Sequence, residues 1–235
     1  VLGALTRQLE REFANQSTDP ERPDCGGVYA EYTGADEPAA TAPLVAACGL
    51  LYIAATERAV ALPVAPPVLL RRADLGLDYL LRFRRPSGLI DLRNVNYDSS
   101  PDTGFAVQAL CPIVRLGRKL AAHDAAWRGL LERIESFIRT AVGGMLSGGF
   151  HTPNHRWVIV SALAQAAALY PDLQVKPVID AYLAEGFDID EEGFYLERSV
   201  GVYDAVCDRS LLTLAQTWPC PQAVVAARAA RASCL

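Results

Sequence analysis

Histidine is scarce in this 235-residue chain: His123, His151 and His155 are the whole set, too few for a multi-histidine metal site. The six cysteines (Cys25, Cys48, Cys111, Cys207, Cys220, Cys234) form no Cys-x-x-Cys pair and no cluster with histidine. Cys48, Cys111 and Cys207 lie inside apolar helical patterns, where a small buried thiol is the simple reading, and a disulfide framework is unsupported at this length. No metal and no other cofactor is therefore expected. Basic charge is lacking too. Twenty-two lysines and arginines against 27 acidic residues leave a net charge of −5 and no footprint for nucleic acid. The chain opens at Val1 without methionine or a charged-then-apolar signal region, which fits a processed or trimmed chain and leaves the compartment open. No apolar run is expected to reach the ~18–20 uncharged residues of a membrane span, so no membrane partner is expected.

What is present is apolar helix. Apolar residues make up 51% of the chain and charged ones 21%, the balance of a globular fold. Helical periodicity dominates and strand alternation is nearly absent. It predicts helices over 2–15, 42–62, 67–84, 102–121, 125–147, 153–170, 174–186, 203–217 and 221–232, with Pro66-Pro67, Pro101, Pro153 and Pro221 near helix starts. The longer connections are 16–41, 85–101, 148–152 and 187–202. Helix 125–147 has a charged face with Arg128, Glu132 and Arg139, opposite an apolar one with Trp127, Ile134 and Phe137. Helix 153–170 has no charged face, the mark of burial on all sides. Amphipathic helices alternating with wholly apolar ones suggest inner and outer shells. The expected fold is all-α: a single domain over 1–235, a complete or incomplete (α/α) toroid of antiparallel helix pairs. No repeat of fixed signature is visible, which disfavours a TPR or HEAT array.

Three polar clusters interrupt this pattern. In Gly148-Gly149-Phe150-His151-Thr152-Pro153-Asn154-His155-Arg156-Trp157, Thr152 suits the N-cap and Pro153 the first helical position. Asn154, His155 and Arg156 then share a first turn whose free N–H groups favour an anion. The same dipole disfavours imidazolium, keeping His155 neutral and able to accept a proton. The plain alternative is a helix start whose polar groups satisfy backbone. The second cluster runs from Glu191 to Tyr203, with Tyr203 heading a stripe through Val206, Cys207, Ser210 and Leu214. Tyr203 either caps a packed face or moves a proton; the latter needs a nearby cation, supplied by Arg156, Arg198 or Arg209. The third, residues 84–105, mixes Asn94, Asn96, Tyr97, Asp98, Asp102 and Phe105, the side chains of a carbohydrate groove or simply a polar loop with a capped helix after it. Asp98 and Asp102 are eligible as paired carboxylates for glycoside hydrolysis.

Thr152-Pro153-Asn154-His155-Arg156-Trp157, with Tyr203 about 48 residues beyond His155, resembles the heparinase II/III-like and alginate-lyase-like polysaccharide lyases. The likeness covers roughly residues 85–215. It implies an α/α toroid with an Asn-His pair and a downstream tyrosine at its centre, acting by β-elimination on an anionic, uronate-containing glycan. On that basis Asn154, His155 and Tyr203 are the expected catalytic residues. Arg156, Trp157, Asn94, Asn96, Tyr97, Asp102 and Arg198 are expected to bind substrate. Asn154 would hold the uronate carboxylate, and Tyr203 or His155 would take the proton at C5. Family members continue into a β-sandwich, and nothing strand-like follows residue 217, so the chain is expected to be part of a longer protein. Two rivals remain: a toroid glycoside hydrolase using Asp98, Asp102 or Glu197, and a non-catalytic helical carbohydrate-binding scaffold.

Overall fold

Proline sets most of the helix starts, and short hairpins lead into two of the helices. A computed structural model describes residues 2–150, 152–197, 202–224 and 226. Helix makes up 64% of it, so the chain is mostly helical as expected. After α1 (Leu2–Asn15) come strands β1 (Val28–Ala30) and β2 (Ala35–Glu37), then helices α2 (Pro38–Arg58) and α3 (Pro66–Arg82). Strands β3 (Ile90–Leu92) and β4 (Asn96–Ser99) lead into α4 (Ser100–Gly117). A 3₁₀ turn at Leu120–Ala122 precedes α5 (Ala125–Ser147), followed by α6 (Pro153–Leu169), α7 (Lys176–Ala184) and α8 (Tyr203–Thr217). Residues 221–224 and 226 are helical; the rest of the expected helix 221–232 lies outside the described residues. Proline occupies the first or second position of α2, α3, α4, α6 and α7, where its missing N–H costs no hydrogen bond.

Consecutive helices pair antiparallel. Near the end of α3, Tyr79 donates its hydroxyl to Asp36 O (2.5 Å), just ahead of α2, and Gly76 lies against Val45 and Thr41. Trp127 at the start of α5 fills the space over Gly117 at the end of α4 and donates Nε1–H to its carbonyl (2.8 Å). Tyr182 of α7 meets Phe150, just before α6, edge-on at 5.2 Å. Across the pairs, α2 packs on α4, α4 on α6, and α6 on α8. The α6 helix, uncharged along its length after Arg156, is buried at Trp157–Ala164 and Ala166. A helix without a polar face is stable only when neighbours cover all its sides.

One expectation needs correcting, and two features add to the expected fold. The 16–41 and 85–101 connections hold the antiparallel hairpins β1–β2 and β3–β4. Their strands of three or four residues are too short for alternation to register. Helix α2 is long and apolar enough to cross a membrane by length and composition, since residues 38–56 carry no charge; here it is a core helix, buried from Pro38 through Ile53 at most positions. Finally, the structure carries a repeat that has no fixed sequence signature. Gly26 and Gly88 both have φ +93°, and in each the missing Cβ makes room for a helix carbonyl, Leu75 O of α3 or Thr140 O of α5. Two residues on, the Val28 N–H donates to Thr41 Oγ1 (2.9 Å), whose hydroxyl donates to Glu37 O (2.8 Å). Sixty-two residues later, the Ile90 N–H donates to Thr103 Oγ1 (2.9 Å), whose hydroxyl donates to Ser99 O (2.6 Å). Val28 pairs with Glu37 and Ile90 with Ser99, completing the match. A third, partial copy has Gly193 (φ +92°), Tyr195 bridged to Ile189, and the Tyr195 hydroxyl donating to Asp208 (2.9 Å), fifteen residues past the glycine as Thr41 and Thr103 are. The first two copies each tie a hairpin to the first turns of the helix that follows.

Candidate functional site

The two hairpins lead into the starts of α2 and α4, where Glu37 and Asp102 interact electrostatically, and His155 at the start of α6 lies near Asp102. Ser99 caps α4, accepting from the Asp102 N–H (3.3 Å) and from Asn96 Nδ2 (2.8 Å), while its hydroxyl donates to Asp102 Oδ2 (2.5 Å). Burial pushes the Asp102 carboxyl above the usual range; the Ser99 hydrogen bond and the nearby His155 oppose that shift. Glu37, wholly buried at the N-cap of α2, accepts from the Arg93 N–H (3.2 Å) through Oε2, and burial raises its pKa as well. Tyr32, at the tip of the β1–β2 hairpin, is 72% exposed, yet desolvation and the charges of Glu37 and Asp102 still raise its pKa. Glu37, Asp102, Tyr32 and His155 thus form one electrostatic cluster drawn from three helix starts and a hairpin.

Beside the cluster opens a cleft of about 850 Å³. Small residues of α2 such as Ala39, Pro43 and Ala47 make one wall, α4 contributes Asp102, Phe105 and Gln108, α8 contributes Arg209, and Tyr32 stands at the rim. Gln108 ties three helices beneath the cleft, its Nε2 donating to Ser161 Oγ (2.5 Å), Ser210 Oγ (3.1 Å) and Val158 O (3.3 Å). The Arg209 guanidinium lies 5.7 Å from the centroid of the Phe105 ring. It makes no ion pair among the described residues, although the protein around it lowers its pKa. A guanidinium in a cleft without a carboxylate partner is set for a ligand anion.

The residues expected from the sequence divide between this cleft and other places. Asp102 lines it, with His155 beside. Asn154 is buried at the α6 start, where an anion does sit; that anion is the protein's own Glu197, whose Oε2 accepts the Asn154 N–H (2.8 Å) and whose Oε1 accepts from Nδ2 (3.4 Å). Arg156 is buried and turned toward α7, donating to Glu185 (2.6 Å), Gly186 O (2.7 Å) and Asp188. Trp157 is buried too, stacked on Phe187 at 4.9 Å. Tyr203 is 43% exposed at the first residue of α8, and no hydrogen bond joins it to Asn154 or His155 among the described residues. On the β3–β4 hairpin, Asn94 donates to Thr33 O, Asn96 holds Ser99, and Tyr97 is exposed under Arg85. Asp98, in the left-handed region at φ 56°, accepts from Ser87, apart from the cleft lining. Arg198 lies outside the described residues. Sequence reasoning missed Tyr32 and Glu37. The available signal was the parallel between Glu37-Pro38 and Ser99-Ser100-Pro101, each a hairpin end running into a helix with proline in its first turn.

Compared with family models, curated proteins and solved structures, the chain matches none. The site's own chemistry then carries the functional argument. It offers a desolvated carboxyl (Asp102), a tyrosine hydroxyl that stays protonated at neutral pH (Tyr32) and a cation on an aromatic ring with no ion pair among the described residues (Arg209 over Phe105).

Proposed function

We propose that the protein cleaves an acidic, uronate-containing glycan by β-elimination in the cleft, within an (α/α) toroid whose inner helices are α2, α4, α6 and α8. The packing of each of these on the next, with α3, α5 and α7 as their antiparallel partners, supports the toroid. One observation carries the reaction: Asp102, Tyr32 and the unpaired Arg209 line the same cleft. Arg209 neutralises the uronate carboxylate and the charge that builds on it as the C5 proton leaves. Asp102, made more basic by burial, takes that proton. The electron pair forms the C4–C5 double bond as the bond to O4 breaks, and Tyr32 protonates the departing oxygen. Compared with the expectation from sequence, Arg209 takes the part given to Asn154, whose amide is held by Glu197, and Tyr32 that given to Tyr203.

Hydrolysis is the second reading, favoured by the same raised Asp102 carboxyl, which also suits a general acid. The two differ in product. Uronate polysaccharides are screened for new reducing ends and, in parallel, for the ultraviolet absorbance of an unsaturated uronate. Elimination predicts both signals in step and loss of both in Arg209→Gln. Reducing ends without absorbance would replace elimination by hydrolysis, and neither signal on any uronate polymer would remove the enzymatic reading.

A further inference from the structure

We infer that the cleft continues along α4 to a second subsite, an oxyanion site at Arg115, so that the ligand is an extended acidic oligosaccharide lying along the inner helices. This rests on the reading of the cleft as a glycan site. A second cavity, of about 320 Å³, lies at the far ends of α4, α6 and α8. It shares Pro112, Arg115, Gln165, Gln216 and Thr217 with the cleft, so the two are one trough. The α4 face toward it carries Asp102, Phe105, Ala109, Pro112 and Arg115, spaced three or four residues apart as one helical stripe. From Asp102 to Arg115 the helix advances about 20 Å, longer than a disaccharide.

The far end has the character of an anion site. Arg115 is exposed to the trough and makes no hydrogen bond or ion pair among the described residues. Its neighbour Arg118 is occupied by Glu135 (3.0 Å) and Leu169 O (3.3 Å), so Arg118 and Glu135 cancel and Arg115 supplies a net positive charge. Gln165, from α6, keeps a buried Oε1 without a partner among the described residues in the same wall. Gln216 and Thr217 of α8 add further hydrogen-bonding groups. A guanidinium flanked by amides and a hydroxyl suits a carboxylate or sulfate, with the sugar hydroxyls meeting the glutamines.

The test measures dissociation constants by isothermal titration calorimetry for tetrasaccharides and disaccharides of galacturonate, mannuronate and chondroitin, in an Asp102→Asn background so that no probe is consumed. At least one tetrasaccharide is expected to bind about tenfold or more tightly than its disaccharide, as one charge-assisted contact allows. Arg115→Gln should remove most of that gap by weakening the tetrasaccharide alone, and Arg115→Lys should retain most of it. Arg115 is exposed and makes no hydrogen bond or ion pair among the described residues, so both variants are expected to keep the wild-type melting temperature. A gap unchanged in Arg115→Gln, or tetrasaccharide and disaccharide of equal affinity, would overturn the far subsite and leave the cleft reading standing. Binding of no probe would overturn both.

Discussion

Gly88→Ala is a sharp test of how the hairpins are fastened to the helices. Gly88 has φ +93°, and an added Cβ would lie 2.3 Å from Thr140 O, a backbone atom that cannot swing aside. The left-handed backbone costs an L-residue about 1–2 kcal/mol. Relieving the clash by shifting α5 against the β3 approach adds about 1–3 kcal/mol. The sum, about 2–5 kcal/mol, corresponds to a fall in melting temperature of roughly 5–15 °C for a chain of this size. Gly26→Ala, with Leu75 O at 2.0 Å, should behave alike, because the two glycines hold equivalent places in the repeat. Gly34 is the control: φ is +69° but nothing lies within 4 Å of the added Cβ, so only the backbone cost of about 1–2 kcal/mol applies. Thermal melts followed by circular dichroism give the comparison. Equal losses in Gly34→Ala and Gly88→Ala would refute the close approach to α5 and the equivalence of the repeats.

Three other substitutions probe separate parts of the molecule. Burial and the neighbouring Asp24 push the Asp36 carboxyl up to about 6, above its unfolded value, so the folded state prefers the proton and loses stability as pH rises from about 4 to 6. Asp36→Asn should flatten that decline and, with solvent screening the charge, add about 1 kcal/mol at pH 7.5; an unchanged pH dependence of the melting temperature would refute it. Arg156→Ala strands Glu185 and Asp188 and should cost about 3 kcal/mol while leaving kcat/KM unchanged below the melting transition, whereas a selective rise in KM would return Arg156 to the substrate. His155 draws the Asp102 pKa down, so His155→Ala should move the acidic limb of the kcat/KM profile to higher pH; a limb that stays put or moves down would separate His155 from Asp102.

Helices with strong local signals were legible in the sequence. Those at Ala125–Ser147 and Tyr203–Thr217 have the expected bounds, and the Thr152-Pro153 start of α6 stands where capping chemistry puts it. The start of α2 came four residues early because Pro38 begins the helix and Pro43, which read as the mark of a helix start, sits within it at the cost of one hydrogen bond. The hairpins escaped notice since each strand is three or four residues long and the repeat keeps only scattered residues, chiefly Gly26/Gly88 and Thr41/Thr103. The same holds for the site. Asp102 stood out as a polar residue at a helix start, but Tyr32 and Glu37 reach it from the 16–41 connection, a distance in sequence that no local spacing encodes. Asn154 and Arg156 looked like an open anion site because Glu197, Glu185 and Asp188, which fill their hydrogen bonds, come from 29 to 43 residues further on.

The central claim is that Asp102 is the base. The initial rate of unsaturated-uronate formation by Asp102→Asn, compared with wild type and with Tyr203→Phe on the same polymer, tests it most directly. Asparagine keeps the shape and the Ser99 contact but cannot take a proton, so the rate should fall by about 10²–10⁴-fold, while Tyr203→Phe stays within a few-fold of wild type. An Asp102→Asn rate close to wild type, with the loss appearing in Tyr203→Phe instead, would contradict the account and move the chemistry to the start of α8.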